Sequence, residues 1–345
     1  MRIIAVCFVA GAVLGAGAAA TAETKFDVKP ISLNDSATYV GALNDDETFG
    51  GGYAVNYVGY GFELSGGQAT FLPTPPNCTL YEATCVPLPS AVHHGGRAAG
   101  YYLDNNGGTY GFTWQPGAAA LTSVFPISST GCFPCAYPLF SASGKVAFST
   151  AGYSAAGLAA GTYLGVPTAL HRVPHLSSGA VAMGLNRQNQ LVGTDAPQHG
   201  TGRILFSVSR GVLSRWAPPG SAGVSSVAVN DLGEIAGSYV DTAGRWHGFV
   251  LMNGKPKRFD MPKRATAITV SGINNKGRVI GFFTEAGGYI YPFLYNGSVV
   301  TKIRNEHSAI PPQVAINDFG VMTLGYFDNV LSFYSYRVSC HGAAC

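Results

Sequence analysis

Four copies of one short pattern decide what this chain can fold into. Residues Ala228 to Tyr239 read AVNDLGEIAGSY, and the pattern returns as GLNRQNQLVGT from Gly184, GINNKGRVIGFF from Gly272 and AINDFGVMTLGY from Ala315. The asparagines that anchor the copies, Asn186, Asn230, Asn274 and Asn317, stand 44, 44 and 43 residues apart. A period in the forties, built from short apolar runs and Gly/Asn/Asp turns, is that of a four-stranded β-propeller blade. One such unit cannot cover its own sheet faces, so the copies must pack side by side.

In the best copy the sequence predicts strands over Val224–Val229, Glu234–Val240, Arg245–Met252 and Pro256–Asp260. Each is rich in the β-branched and aromatic residues that suit a pleated surface. Asn stands first and Gly fourth in Asn230–Gly233, Asn274–Gly277 and Asn317–Gly320. The Asn side chain can bond the backbone two residues on, and the Gly takes the positive φ that closes the hairpin. Asp241–Gly244 and Asp104–Gly107 serve the next hairpin, and Asn253-Gly254 and Asn296-Gly297 the one after. In that frame weaker copies put Asn44, His93 and Ser141 at the anchoring position, for seven first turns in all.

The last copy is short. After Asn317 only Val321–Phe327 and Leu331–Val338 fit as strands, and Lys25–Pro30, which resembles Arg258–Pro262, supplies the missing one. The fold expected is an all-β propeller of seven four-stranded blades, its last blade closed by the N-terminal strand. It forms one domain over 23–338, followed by a cysteine-bearing tail over 339–345. Closure removes the open sheet edge at which such proteins aggregate.

Met1-Arg2, the apolar run Ile3–Ala20 and the small-residue ending Ala20-Thr21-Ala22 read as a signal peptide over 1–22, so the periplasm or the medium is the expected home. No later run is long enough to span a bilayer. Cys7 falls in the leader, and Cys78/Cys85, Cys132/Cys135 and Cys340/Cys345 form three local couples. An even number suits an oxidising compartment. Several pairings are possible, and the local one is expected because each couple lies in a single Pro- or Gly-rich segment. Only 11% of residues are charged and the net charge is +3, which gives no footprint for nucleic acid. A monomer is expected.

If the Asn turns share one face, the other carries the connections between blades: Pro73–Pro89, Pro126–Pro138, Val166–Ser178, Met261–Thr266 and Arg304–Pro312. Loop-built surfaces of this kind bind ligands, which makes Tyr81, Phe133, Tyr137, His171, Arg172, His175 and His307 the candidate ligand-binding residues. Pro174 argues against a helix joining His171 to His175, and no metal site is expected from them. Asp45-Asp46-Glu47 offers a hard cation such as calcium a place. No other cofactor is implied. Lys255, Lys257, Arg258, Lys263, Arg264, Lys276 and Arg278 read as a charge-blunted outer edge, or else as a surface for an acidic polysaccharide. There is no Gly-x-Ser-x-Gly elbow, no phosphate loop and no carboxylate pair of glycosidase type. No catalytic residue can be named.

The third predicted strand carries Trp246-His247-Gly248-Phe249-Val250-Leu251, Tyr291-Pro292-Phe293-Leu294-Tyr295, Tyr110-Gly111-Phe112 and Tyr60-Gly61-Phe62. Together with GINNKGRVIGFF this resembles the bacterial extracellular HAF-repeat family, closely over 180–335 and loosely over 38–165. No copy has the literal His-Ala-Phe, and His247-Gly248-Phe249 comes nearest. The resemblance implies an exported, propeller-like repeat protein and carries over no ligand and no catalytic residue. The function expected is a binding or interaction module for an envelope or extracellular glycan, or for a protein. The competing expectation is a propeller enzyme on a polysaccharide or lactone-like substrate, with calcium assisting.

Overall fold

The computed structural model describes residues 25–33, 38–55, 58–76, 78, 85–128, 138–150, 158–196, 202–303, 313–327 and 333–341. Every regular element in them is a strand, and the strands form seven four-stranded antiparallel sheets. The first strand, β1 (Lys25–Ile31), belongs to the last sheet. Blade 1 is β2 (Thr38–Leu43), β3 (Phe49–Val55), β4 (Val58–Ser65) and β5 (Gln68–Phe71). Blade 2 is β6 (Leu88–His93), β7 (Arg97–Leu103), β8 (Thr109–Trp114) and β9 (Ser123–Ser128). Blade 3 is β10 (Leu139–Phe140), β11 (Val146–Thr150), β12 (Gly161–Val166) and β13 (Ala169–Arg172). Blade 4 is β14 (Val181–Leu185), β15 (Leu191–Asp195), β16 (Ile204–Ser209) and β17 (Val212–Trp216). Blade 5 is β18 (Ser221–Val229), β19 (Ile235–Asp241), β20 (Trp246–Met252) and β21 (Lys255–Asp260). Blade 6 is β22 (Ala265–Ile273), β23 (Val279–Glu285), β24 (Ile290–Tyr295) and β25 (Val300–Lys302). Blade 7 is β26 (Gln313–Ile316), β27 (Val321–Phe327), β28 (Phe333–His341) and then β1.

The closure expected from the sequence is present: Phe26 pairs with Cys340 and Val28 with Val338. The last strand runs on to His341, past the expected end at Val338, because Lys25 to Asp27 extend the ladder that far. Cys340 is therefore a strand residue. It is disulfide-bonded, its partner lying outside the described residues. Cys78 and Cys85 form the expected local disulfide. Cys132, Cys135 and Cys345 lie outside the described residues.

The core is layered between neighbouring blades. One layer joins Ala228, Val250 and Phe259 of blade 5 to Ile268, Phe293 and Tyr295 of blade 6. Another joins Ile280 and Leu294 of blade 6 to Met322, Leu324 and Val338 of blade 7, with Phe26 and Val28 packed on its edge. Within a blade the recurring device is a glycine in the second strand facing a buried phenylalanine in the third, as in Gly193↔Phe206, Gly237↔Phe249 and Gly281↔Phe293. At Gly281 a Cβ would lie 2.1 Å from Thr269 O and 2.9 Å from the Phe293 ring, so only glycine lets the first strand and the ring approach together.

Several boundaries differ from expectation: β6 takes in Leu88 and Pro89, β18 begins at Ser221, and β22 takes in Ala265 and Thr266. Val166–Ser178 is not a bare connection: Tyr163 pairs with Arg172 and Leu164 with His171, so His171 and Arg172 sit on an outer strand. The tight turn after Val166 returns the chain to the sheet at once. Likewise Pro126 pairs with Tyr110 inside β9 instead of opening a loop. The outer strand β21 carries Lys255, Lys257 and Arg258 exposed along its edge, with Phe259 alone buried, a charged edge of the kind read from the sequence; Lys276 and Arg278 do not belong to it, because they sit in and beside the Asn274 turn of blade 6.

Candidate functional site

All seven first turns have the same backbone. The residue at the fourth place donates its N–H back to the first in each, from Glu47 to Asn44 through Gly320 to Asn317. That fourth residue has positive φ throughout; Gly fills it in five turns, while Glu47 (55°) and Asn189 (62°) fill it in the other two. In each anchoring asparagine the side-chain oxygen accepts the N–H four residues on, at 2.8 to 3.0 Å. Asn230, Asn274 and Asn317 also accept the N–H two residues on, as the sequence predicted.

The amide nitrogen of each does something the sequence did not announce. Asn186 Nδ2 donates to Asn230 O, Asn230 to Asn274 O and Asn274 to Asn317 O, each at 2.9 Å. Asn317 donates on to Asn44 O at 3.1 Å and Asn44 to His93 O at 3.2 Å. A second ring runs beside the first. The backbone N–H of Arg187 donates to Asp231 Oδ1, that of Asp231 to Asn275 Oδ1, that of Asn275 to Asp318 Oδ1 and that of Asp318 to Asp45 Oδ1, at 2.7 to 2.9 Å. Buried amides and carbonyls must find partners, and here each blade supplies them to the one before.

The rings stop at blades 2 and 3, where His93 and Ser141 replace Asn. Arg97 Nη2 donates to Ala142 O (3.3 Å), while the hydroxyls of Ser141 and Ser143 both donate to Asn189 Oδ1 (2.8 and 2.6 Å). The circuit is closed, with other parts.

These turns surround a cavity of about 660 Å3 at the mouth of the central channel, within the range of small-ligand sites. Its floor is the residue before each anchor, apolar in every blade: Leu43, Val92, Phe140, Leu185, Val229, Ile273 and Ile316. Its rim is polar and charged. Asp46 pairs with His94 (2.5 Å) and Asp231 with Arg187 (3.4 Å). Burial, followed by the charges of Arg97 and Arg187, holds His93 below the usual imidazole range. Leu232 and Phe319, in the same turns but not lining the cavity, stand 67% and 70% exposed.

The cavity is on the Asn-turn face, opposite the one expected from loop placement. His171 and Arg172 lie exposed on β13, at the outer rim of blade 3, and His175 in the turn beyond, its carbonyl accepting from Arg215. None of the three lines the mouth. Tyr81, Phe133, Tyr137 and His307 fall outside the described residues. Asp45, Asp46 and Glu47 diverge to Asp318 N, His94 and Arg337 respectively. Among the described residues no three His, Cys, Asp or Glu side chains group as a metal site. Sequence reasoning missed Arg97, Arg187, Asp231 and Asp318; the signal was the acceptor that follows the anchor in copy after copy.

His247, from the His-Gly-Phe segment, has a structural part to play. Its Nδ1 lies 2.8 Å from Asp260 Oδ1 and its Nε2 3.0 Å from Asp241 Oδ2, tying the second hairpin of blade 5 to its outer strand. Asp241, which accepts first from the Arg245 N–H and then from His247, is held well below the usual carboxylate range.

Neither a family model nor a curated protein matches this sequence. Solved structures do. The chain is similar to virginiamycin B lyase from Staphylococcus aureus, at 11% identity and a TM-score of 0.57 over 92% of this chain and 99% of that one. A streptogramin B lyase aligns at 14% identity and a TM-score of 0.54, covering 92% and 98%. The β-propeller domain of the Trilobed protease from Pyrococcus furiosus, described as having an open velcro topology, aligns at 10% identity and 0.57, covering 78% and 84%. The likeness is one of fold. Within it, this chain closes its ring with β1.

Proposed function

We propose that this chain is an exported binding module that takes a small ligand at the channel mouth on the Asn-turn face. The observation that carries the reading is the cavity of about 660 Å3 to which all seven blades contribute side chains. Its rim is organised in advance, since the turns are bonded to one another, and a rigid rim loses little conformational entropy on binding. The carboxylates an enzyme would need there are already engaged: Asp318 accepts two bonds from Asn275, and Asp231 accepts from Arg187.

Export is part of the proposal, supported by the leader-like residues 1–22 and by the Cys78–Cys85 disulfide, which suits an oxidising compartment. Membership of the HAF-repeat family is proposed on the same footing, from the strand and turn residues that resemble it. An unbiased small-molecule and glycan screen, run with and without calcium, tests the function. Hits should be lost in the double variant Arg97→Gln/Arg187→Gln and kept in His171→Ala. The opposite pattern would place binding on the outer rim of blade 3.

A further inference from the structure

One place near the outer strand is filled alike in six blades and differently in the seventh. Ile31, Leu72, Phe125, Val173, Phe259 and Ile303 turn inward from the outer strand, and all six are buried. The residue across from each on the third strand is compact: glycine opposite Leu72, Phe125 and Phe259, serine opposite Ile31, threonine opposite Val173 and proline opposite Ile303. In blade 4 the pair is Trp216 with Leu205. Leu205 is itself buried and takes the space, so the indole packs on Phe249 of blade 5, 5.2 Å between ring centres, and stays partly exposed.

The seam is hollowed beside it. Ser207 faces Ser214, where blade 5 sets Val250 against Lys257 and blade 6 sets Leu294 against Thr301. The result is a pocket of about 280 Å3 between blades 4 and 5, on the Asn-turn face, which shares no lining residue with the channel mouth. Trp216, Leu232 and Leu251 give it apolar surface, and Glu234, Asn253 and Ser214 polar groups. Whereas Trp114 Nε1 donates to Ala118 O at 3.1 Å, the Trp216 indole N–H and the Asn253 amide have no hydrogen-bond partner among the described residues. Glu234 gives one oxygen to Asn230 Nδ2 (2.7 Å) and Ser214 donates to Ser207 O (3.3 Å). The second carboxylate oxygen and the serine lone pairs therefore keep their capacity to accept.

A half-buried indole beside unspent donors and acceptors suits a molecule with one apolar face and hydroxyls around its edge. The pocket has one carboxylate and no lysine or arginine in its lining, so the ligand it matches carries no negative charge. We infer that this seam is a second binding site, independent of the mouth, and that its ligand is a neutral pyranose sugar. The C–H face of the ring lies on Trp216 and Leu232. Its hydroxyls donate to Glu234 and Ser214 and accept from the Asn253 amide and the indole N–H. A uronic acid is rejected, because its carboxylate would meet Glu234.

Titration of the full chain with the methyl pyranosides of glucose, galactose, mannose and N-acetylglucosamine, followed by heat and by tryptophan emission, tests this. At least one is expected to bind and to change the emission, and methyl glucuronoside to bind about tenfold or more weaker than methyl glucoside. Trp216→Phe should remove the optical signal, and Trp216→Ala should weaken binding about tenfold or more. Because Trp216→Ala also uncovers Phe249, Asn253→Gly serves as a second variant: it suits the positive φ of 50° and removes only the amide. It should weaken binding severalfold with the urea midpoint unchanged. Glu234→Gln, which keeps an oxygen for Asn230, should narrow the gap between glucuronoside and glucoside. Binding here is expected to survive Arg97→Gln/Arg187→Gln, which tells it apart from binding at the mouth. The inference falls if no neutral glycoside binds at millimolar concentration, or if binding is unchanged in both Trp216→Ala and Asn253→Gly. A glucuronoside that binds as well as the glucoside overturns the assignment to neutral sugars. Binding lost in Arg97→Gln/Arg187→Gln and kept in Trp216→Ala would put the sugar at the mouth, removing this site and upholding the other.

Discussion

Blades 4 to 7 with blade 1, and blades 2 with 3, close the same ring by different means. In the longer arc, one asparagine per blade braces its own turn with its oxygen and grips the next turn with its nitrogen, at nearly constant distances. In the shorter arc an arginine spans one seam, and two serines meet an asparagine across the next. Ring closure, then, asks only for a donor of sufficient reach at each seam. Where the repeat is kept, the side chains are consumed by structure. Where it has drifted, Arg97 and His93 line the opening, and chemistry becomes available.

The comparison can be broken most severely at the seam that completes the longer arc. Deleting Lys25–Ile31 strips β28 of its partner and uncovers Val338 and Leu324. The shortened chain is expected to lose cooperative thermal unfolding and to scatter light at room temperature. Next comes a matched pair of truncations. Asn274→Ala leaves the buried Asn317 carbonyl and the Arg278 N–H without that partner, at an expected cost of about 1–3 kcal/mol in urea unfolding. Ser141→Ala, in the drifted arc, should cost less than about 1 kcal/mol because Ser143 still donates to Asn189.

A smaller and pH-dependent effect belongs to the seam between blades 1 and 2. Blade 4 fills one position with Ser207, which accepts from Gln190 at 3.0 Å; blade 1 has buried Glu63, whose Oε1 has no partner. Burial pushes this carboxyl up to about 7 from 4.5. A carboxyl raised in the folded state favours folding below its unfolded pKa, and that contribution fades as pH climbs through the folded value. Wild type should therefore lose stability relative to Glu63→Gln between about pH 5 and pH 8, as followed by urea midpoints. Arg97→Gln should be the mildest for stability, within about 0.5 kcal/mol, since the bond it gives up, to Ala142 O, is exposed and 3.3 Å long.

Most of the architecture was legible. The period in the forties gave the blade, the Asn and Gly places gave the turns, and the likeness of Lys25–Pro30 to Arg258–Pro262 gave the closure. The site was not. That Asn230 bonds its own turn follows from local geometry, but that it also grips Asn274 O requires knowing which blade lies beside it, and at what height. The face was misjudged for a related reason: long connections were taken as the binding surface, whereas the cavity forms where short, identical turns converge. His171 and Arg172 were read as loop because Ala169–Arg172 is too brief to show alternation. Asp231 and Asp318 looked like ordinary turn residues, which they are, and the same carboxylates also face the opening.

Lys25 pairs with His341, so two residues separated by almost the whole polypeptide must find each other before the ring exists. A ribosome delivers the first of these long before the last. Blade 1 must therefore wait with a bare flank until synthesis and any passage across a membrane are over. Assembly of this protein is thus timed by its final strand, and a chaperone or a slow exit would act on that interval rather than on any single blade.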